Sequence, residues 1–176
     1  RELLGAVPAA VGEIGLDRGP KGKQFEKQIL IFFRQVELAD ELRRPFVLHC
    51  VNAWGTAIDL LQTRRPNGLP FIVHSFVGSV ETLKKLLGMG ALISISLLSL
   101  KKKDAATVIK AVPEDRLLLE SDFPYLPGTK KDQVDETDYL AALTSVYQQT
   151  AEIRNIPVDV LTEQIRQNAE TITNFL

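Results

Sequence analysis

Residues 46–74 read FVLHCVNAWGTAIDLLQTRRPNGLPFIVH, in which two short apolar runs each end in a histidine. Phe46–His49 and Phe71–His74 are both short and apolar, as buried parallel strands are, and the longer segment Ala57–Thr63 between them reads as a helix. Strand, helix and strand in this order form the repeating unit of a parallel α/β fold. The stretch therefore predicts a parallel sheet that is covered by helices.

The same alternation continues on both sides of this stretch. Upstream, Ala9–Ile14 reads as a strand, and apolar residues three or four apart predict a helix over Gln24–Leu42. The predicted downstream elements are helix Val80–Leu87, strand Ala91–Ile95, helix Asp104–Ala111, strand Arg116–Glu120 and helices Glu136–Ile153 and Val158–Asn168. Right-handed crossovers allow either a barrel or a doubly wound open sheet. We expect one domain over residues 1–176.

Composition limits the classes of function. The chain of 176 residues is 45% hydrophobic and 24% charged, which is ordinary for a globular domain. Its net charge of -1 gives no overall attraction to nucleic acid or acidic membranes, so phosphate binding has to be local. Cys50 is the only cysteine, which excludes an intramolecular disulfide and fits a reducing, intracellular compartment, cytoplasmic or nuclear. The apolar stretch 91–100 is far shorter than a membrane span, so no membrane partner is expected.

Four side chains that can bind a metal end four of the predicted strands. They are Glu13, His49, His74 and Asp122. Catalytic residues of barrels lie at these carboxyl ends. One such histidine is more often a core residue, but two histidines with two carboxylates predict a divalent metal site, because nitrogen and oxygen ligands suit zinc, manganese or iron.

The motifs around these residues resemble those of the TatD family. They are VGEIGLD (11–17), FVLHC (46–50), HSFVGS (74–79) and LLLESDFPYL (117–126), together with Gln28, LADEL (38–42) and Asn168. The resemblance covers nearly the whole chain from Val7. It implies a TIM-like (β/α) barrel of the metallo-dependent hydrolase type, with a two-metal site that cleaves phosphodiester bonds of DNA.

The resemblance also implies a role for each ligand. Glu13 matches the carboxylate that bridges the metals, and His49 and His74 match the pair that completes the shell of one metal. Asp122 matches the carboxylate that ligates the other metal and handles the proton of the water. The family's remaining ligands form an HxH motif on its first strand, which we expect to lie upstream of Arg1 with the first two βα units. One or two divalent ions (Mg, Mn or Zn) are the expected cofactors.

Further residues are candidates for substrate binding. Arg18, Lys21 and Lys23 follow Glu13 in a glycine-rich loop, where they either contact phosphates or are simply solvated. Trp54 and Phe76 follow the two histidines closely, so their rings either stack on a base or belong to the core.

Three neighbours of the ligands have supporting roles. Glu120 shares a face of its strand with Asp122, and its carboxylate needs a cation or hydrogen-bond donors there. Asp17 is expected to cap a turn, and Cys50 to point away from the metals.

The sequence therefore predicts a metal-dependent hydrolase, with DNA as substrate and metal-activated water as the nucleophile. Two alternatives remain open. One is an impaired TatD-like scaffold or binding protein without turnover, which forms a homo-oligomer if the chain is complete. The other is a metal-dependent amidohydrolase that acts on a small substrate.

Overall fold

The computed structural model describes residues 7–20, 22–64, 69–125 and 135–175. Strands and helices alternate through most of these ranges. In chain order the elements are β1 (Val11–Asp17), α1 (Phe25–Glu41), β2 (Phe46–Val51), α2 (Trp54–Arg64), β3 (Phe71–Val73), α3 (Val80–Leu87), β4 (Ala91–Ile95), α4 (Leu97–Leu100), α5 (Ala105–Ala111), a 3-10 turn (Glu114–Arg116), β5 (Leu117–Leu119), α6 (Glu136–Arg154) and α7 (Val158–Thr173).

The strands follow one another in the sheet in the same order as in the chain, β1-β2-β3-β4-β5. β1 pairs with β2, β2 with β3, and β4 with β5, in each case in parallel. Consecutive parallel neighbours joined through helices are the arrangement of a (β/α) fold. The predicted parallel α/β class is therefore confirmed.

The chain divides into two compact units. The first contains β1 to β3 with α1 and α2, and the second contains β5 with α4 to α6 and α7 as far as Glu170. The expectation of one domain over residues 1–176 stays a prediction.

The first unit is built around large side chains on its strands. Ile14, Leu16 and Leu48 are at most 1% exposed. Phe46 at the start of β2 stacks on Phe71 at the start of β3, with ring centroids 4.9 Å apart. Helix α1 buries Phe32, Val36 and Ala39, as its predicted spacing required. These contacts hold the strand ends that carry the polar side chains described below.

The second unit fixes β5 with a buried amide. Asn168 on α7 is 5% exposed, and its side-chain NH₂ donates to the carbonyl oxygens of Glu114 and Leu117, at 2.6 and 2.8 Å. Both acceptors flank the beginning of β5, so α7 sets the position at which this strand begins.

One predicted strand boundary is wrong, and one helix was not predicted. β1 was expected over Ala9–Ile14, which made Glu13 a strand end, but it extends to Asp17 because Gly15–Asp17 also pair with β2. Glycine and aspartate are weak strand formers, so the sequence predicts the end of β1 before Gly15, which is too early. The helix α4 was not predicted, since its four residues are too few to show a helical period.

Among the residues that the structure describes, no helix is both long enough and apolar enough to cross a membrane.

Candidate metal centre

Three of the four predicted ligands lie together in the first unit, Glu13 on β1, His49 on β2 and His74 directly after β3. Glu13, His49 and His74 each offer one ligand atom, and these atoms lie within 4.8 Å of one another. Their order across the sheet follows β1, β2 and β3. The structure therefore brings into one cluster residues that are 61 positions apart in the chain, counted from 13 to 74.

Strand register explains how the two histidines meet. Val47 pairs with Ile72 and Leu48 with Val73, so the next step of the same register sets His49 beside His74. The His74 N–H donates to the Leu48 carbonyl oxygen at 2.9 Å, which extends the pairing past the end of β3. The two imidazole rings are stacked, with centroids 6.0 Å apart.

A bulge in β1 accompanies the position of Glu13. Val11 pairs with Phe46 and Ile14 with Leu48, so three steps along β1 match two steps along β2. Such an extra residue is a β-bulge, a device that redirects side chains near functional sites. Val11 and Ile14 are both buried, whereas the Glu13 side chain is 51% exposed.

Gly15 makes room for this arrangement. It lies two residues after Glu13 and pairs directly with His49. A Cβ at this position would lie only 1.8 Å from the His49 carbonyl oxygen. The close approach of β1 to β2 beside His49 therefore requires glycine.

Each Glu13 carboxylate oxygen faces a different histidine. Oε2 lies 3.9 Å from His49 Nδ1, and Oε1 lies 3.7 Å from His74 Nε2. Two ligands of a tetrahedral zinc ion are about 3.3 Å apart when the bonds are about 2.0 Å. The three ligand atoms, within 4.8 Å of one another, have to move closer to reach this spacing. Two imidazoles with one carboxylate are the donor set of many catalytic divalent-metal sites. The residues therefore fit a divalent ion.

The cluster is accessible from outside. The side chain of His49 is 37% exposed, whereas that of His74 is 13% exposed. A partly open site of this kind leaves room for water and substrate beside the three ligands.

Asp122, the fourth predicted ligand, belongs to the second unit and is not in this cluster of described residues. It lies three residues after β5, in a turn where its φ is 58° and its carbonyl oxygen accepts a hydrogen bond from the Tyr125 N–H at 2.7 Å. Its role at the metal stays a prediction.

The loop after β1 carries the predicted phosphate contacts. The Arg18 guanidinium lies over the Phe25 ring, 3.8 Å from its centroid, and Lys23 is exposed. Lys21 lies outside the described residues. Gln28 anchors the loop, because its side chain bonds both the N–H and the carbonyl of Asp17 and also the Lys23 carbonyl.

Asp17 has the predicted supporting role, and the direction of the Cys50 side chain stays a prediction. Asp17 caps the turn through its Oδ1, which accepts from the Gly19 N–H at 2.5 Å. Burial raises the pKa of the Cys50 thiol to about 12, so this thiol stays protonated at neutral pH and is a poor nucleophile.

The two aromatic candidates are placed differently. Trp54 is half-buried at the first turn of α2. Phe76 is 1% exposed, so its ring belongs to the core and is not available to a base at the surface. The sequence around Phe76 is apolar in part and does not reveal whether its ring lies in the core or at the surface.

The protein has a parallel α/β fold and a cluster of two histidines and one carboxylate. These two features place it in the class of α/β proteins with a candidate metal centre. Residues 6–174 match the family model described as TatD related DNase. The chain therefore belongs to the TatD family of metal-dependent hydrolases. The predicted family is confirmed, and a possible metal-binding triad is present.

Two curated relatives show how much of the family protein this chain represents. It is 30% identical over 174 residues to the 3'-5' ssDNA/RNA exonuclease TatD of Erwinia amylovora, matching 93% of this chain and 65% of that protein. It is 28% identical over 170 residues to the uncharacterized metal-dependent hydrolase YabD of Bacillus subtilis, with 93% and 64% covered. The chain thus spans slightly less than two thirds of the length of these relatives.

A solved structure supports the same fold. The TatD homologue YJJV from Escherichia coli matches with a TM-score of 0.83 and 28% identity, covering 98% of this chain and 68% of that one. The predicted barrel-type fold of the family is confirmed by this match.

Proposed function

We propose that this chain is a metal-dependent deoxyribonuclease that hydrolyses phosphodiester bonds of DNA. The observation that carries the proposal is the cluster of Glu13, His49 and His74, in which one carboxylate faces two imidazoles. The names of the family model and of the Erwinia relative support a nucleic-acid substrate.

Glu13, His49 and His74 hold the ion in this proposal. Magnesium, manganese and zinc are the candidate ions, and the imidazoles favour the latter two. When bound, a divalent ion lowers the pKa of a coordinated water and stabilises negative charge on the attacked phosphate.

Asp122 accepts the proton of the attacking water in this proposal. A carboxylate in a turn beyond a strand end suits this role, since proton transfer needs a side chain positioned within hydrogen-bond reach of the water. The side chain of Asp122 is half-buried.

The basic loop binds the phosphate backbone of the substrate. Arg18, Lys21 and Lys23 place three positive charges within six residues, directly after the strand that carries Glu13. Contacts to phosphates position a nucleic acid without reading its sequence, so this loop predicts little preference among bases. The protein's net charge of -1 makes such a local cluster necessary for attraction.

Metal content and cleavage test the proposal together. The purified chain is assayed by elemental analysis and by hydrolysis of single-stranded DNA with and without added Mg, Mn or Zn. Glu13→Gln removes the negative charge at nearly constant volume, so we expect loss of bound metal. We expect cleavage to decrease by at least about 100-fold, because removing even a residue that only orients a ligand lowers activity by about 10- to 100-fold. Glu152→Gln, at an exposed position on α6, is the matched control and keeps full activity.

The results separate the proposal from its alternatives. Metal that binds without any DNA cleavage argues for the scaffold or for hydrolysis of a small substrate. Cleavage that survives Glu13→Gln unchanged contradicts the assignment of this cluster as the catalytic centre.

A further inference from the structure

The turn that directly follows His74 is held by the side chains of Glu120 and Ser96. Ser75 has a φ of 44°, in the left-handed region that an L residue seldom adopts. Its N–H donates to Glu120 Oε1 at 2.5 Å, and its hydroxyl lies 2.6 Å from the hydroxyl of Ser96. A non-glycine residue persists in this conformation only where its surroundings fix it.

Both partners of Ser75 are themselves fixed. The Glu120 N–H donates to the Ile95 carbonyl oxygen at 3.0 Å, which continues the pairing of β5 with β4. Ser96 is fully buried and caps α4, where its hydroxyl accepts from the Leu98 N–H. Glu120 and Ser96 therefore form a rigid frame for the turn.

The backbone is held on both sides of His74. The His74 N–H donates to the Leu48 carbonyl oxygen, one residue before His49. Beyond Ser75, the Phe76 N–H donates to the Ser94 carbonyl oxygen at 2.9 Å. Among these contacts, only the one to Glu120 joins a main-chain N–H to an ionisable side chain.

We propose that Glu120 is a positioning residue for the metal centre: its carboxylate fixes the Ser75 N–H and thereby the backbone from which His74 projects towards Glu13. This inference rests on the proposed metal centre. In this inference Glu120 acts by accepting the hydrogen bond from the Ser75 N–H, and it does not need to contact the metal or the substrate.

Two substitutions distinguish the hydrogen bond from the charge. Glu120→Gln keeps a carbonyl oxygen that can accept from the Ser75 N–H but removes the negative charge. Glu120→Ala removes both. A role through the hydrogen bond therefore predicts that glutamine rescues what alanine loses, whereas a role through charge or direct ligation predicts equal losses.

The test measures metal binding directly. The cobalt(II) affinity of the full chain is determined by calorimetry, and the absorption spectrum of bound cobalt reports its coordination. We expect Glu120→Ala to weaken binding about 10- to 100-fold, the usual effect of removing a partner that orients a ligand, and to alter the cobalt spectrum. Glu120→Gln is expected to stay within about 3-fold of the wild type with an unchanged spectrum, since the accepted bond remains. Circular dichroism of each variant checks that it is folded.

Specific results would overturn the inference. Wild-type affinity in Glu120→Ala, or a loss in Glu120→Gln as large as that in Glu120→Ala, excludes positioning through the Ser75 N–H. If Glu120→Ala does not fold, a wild-type affinity and spectrum in Glu120→Gln support the inference and a weakened affinity overturns it. Failure of the metal centre itself has a different signature, in which the wild type and Glu13→Gln bind cobalt equally, and that result overturns both proposals.

Discussion

Gly15 is the residue on which the contact between β1 and β2 depends most directly. Its missing Cβ would meet the carbonyl oxygen of His49 at 1.8 Å. Gly15→Ala therefore forces β1 away from β2 beside two ligands. We expect a loss of about 1–3 kcal/mol in the free energy of unfolding, as for other overpacked sites, together with weaker metal binding. Urea denaturation and calorimetry measure the two effects.

Gly55→Ala is the matched control for this substitution. Gly55 is exposed near the start of α2, and a Cβ there would meet no atom within 4 Å. Alanine is the better helix former, so this variant is expected to gain up to about 1 kcal/mol. Equal behaviour of the two alanine variants would show that the β1–β2 approach tolerates a side chain at position 15.

The sequence predicted the members of the cluster better than their setting. His49 and His74 stand out because each polar ring ends an apolar run, and their register follows from the matched strands. The bulge beside Glu13 was not predictable, since it depends on how β1 pairs with β2. The contact between Glu120 and Ser75 spans 45 residues and has no local signal in the sequence.

At the level of elements, the alternation of strands and helices was predictable wherever an element was long or bounded by clear signals. Helix α3 and strand β4 have the predicted limits, Val80–Leu87 and Ala91–Ile95. Helix α2 begins at Trp54, three residues before the predicted Ala57. The sequence did not indicate this start because Trp54 and Gly55 do not extend the apolar period. Short elements such as α4 depend on capping, here by Ser96, rather than on periodicity.

Asn168 on helix α7 holds the start of strand β5 through two hydrogen bonds. Asn168→Ala leaves the carbonyl oxygens of Glu114 and Leu117 without this donor near the buried start of β5. We expect a loss of about 1–3 kcal/mol in the free energy of unfolding, because buried acceptors that lose their donor are costly. Denaturant unfolding followed by circular dichroism measures it.

Its neighbour Gln167 provides the control in the same helix. Gln167 is exposed, and its side-chain NH₂ donates to the exposed Glu163. Gln167→Ala is expected to change stability by less than about 0.5 kcal/mol. A loss as large as that of Asn168→Ala would attribute the effect to the helix rather than to the bonds at β5.

The charge of the whole molecule bears on how it would attract the proposed DNA substrate. The chain has 21 basic and 22 acidic residues and a net charge of -1, so the average field does not draw in a polyanion. A nuclease of this composition has to concentrate positive charge locally. The loop with Arg18 and Lys23 is such a concentration, held in place by Gln28.

Two double variants with the same net charge separate a local from a global effect. Arg18→Gln with Lys23→Gln, and Lys84→Gln with Lys110→Gln on the exposed faces of α3 and α5, each lower the net charge from -1 to -3. Affinity for a labelled single-stranded oligonucleotide with a non-hydrolysable backbone is measured against salt concentration. Each phosphate contact contributes about 0.7 to the slope of log affinity against log salt, so losing two contacts in the loop lowers that slope by about 1.4. The helix variant should keep the wild-type slope. Equal changes in both variants would mean that overall charge governs binding and that the loop is only a solvated connection between β1 and α1.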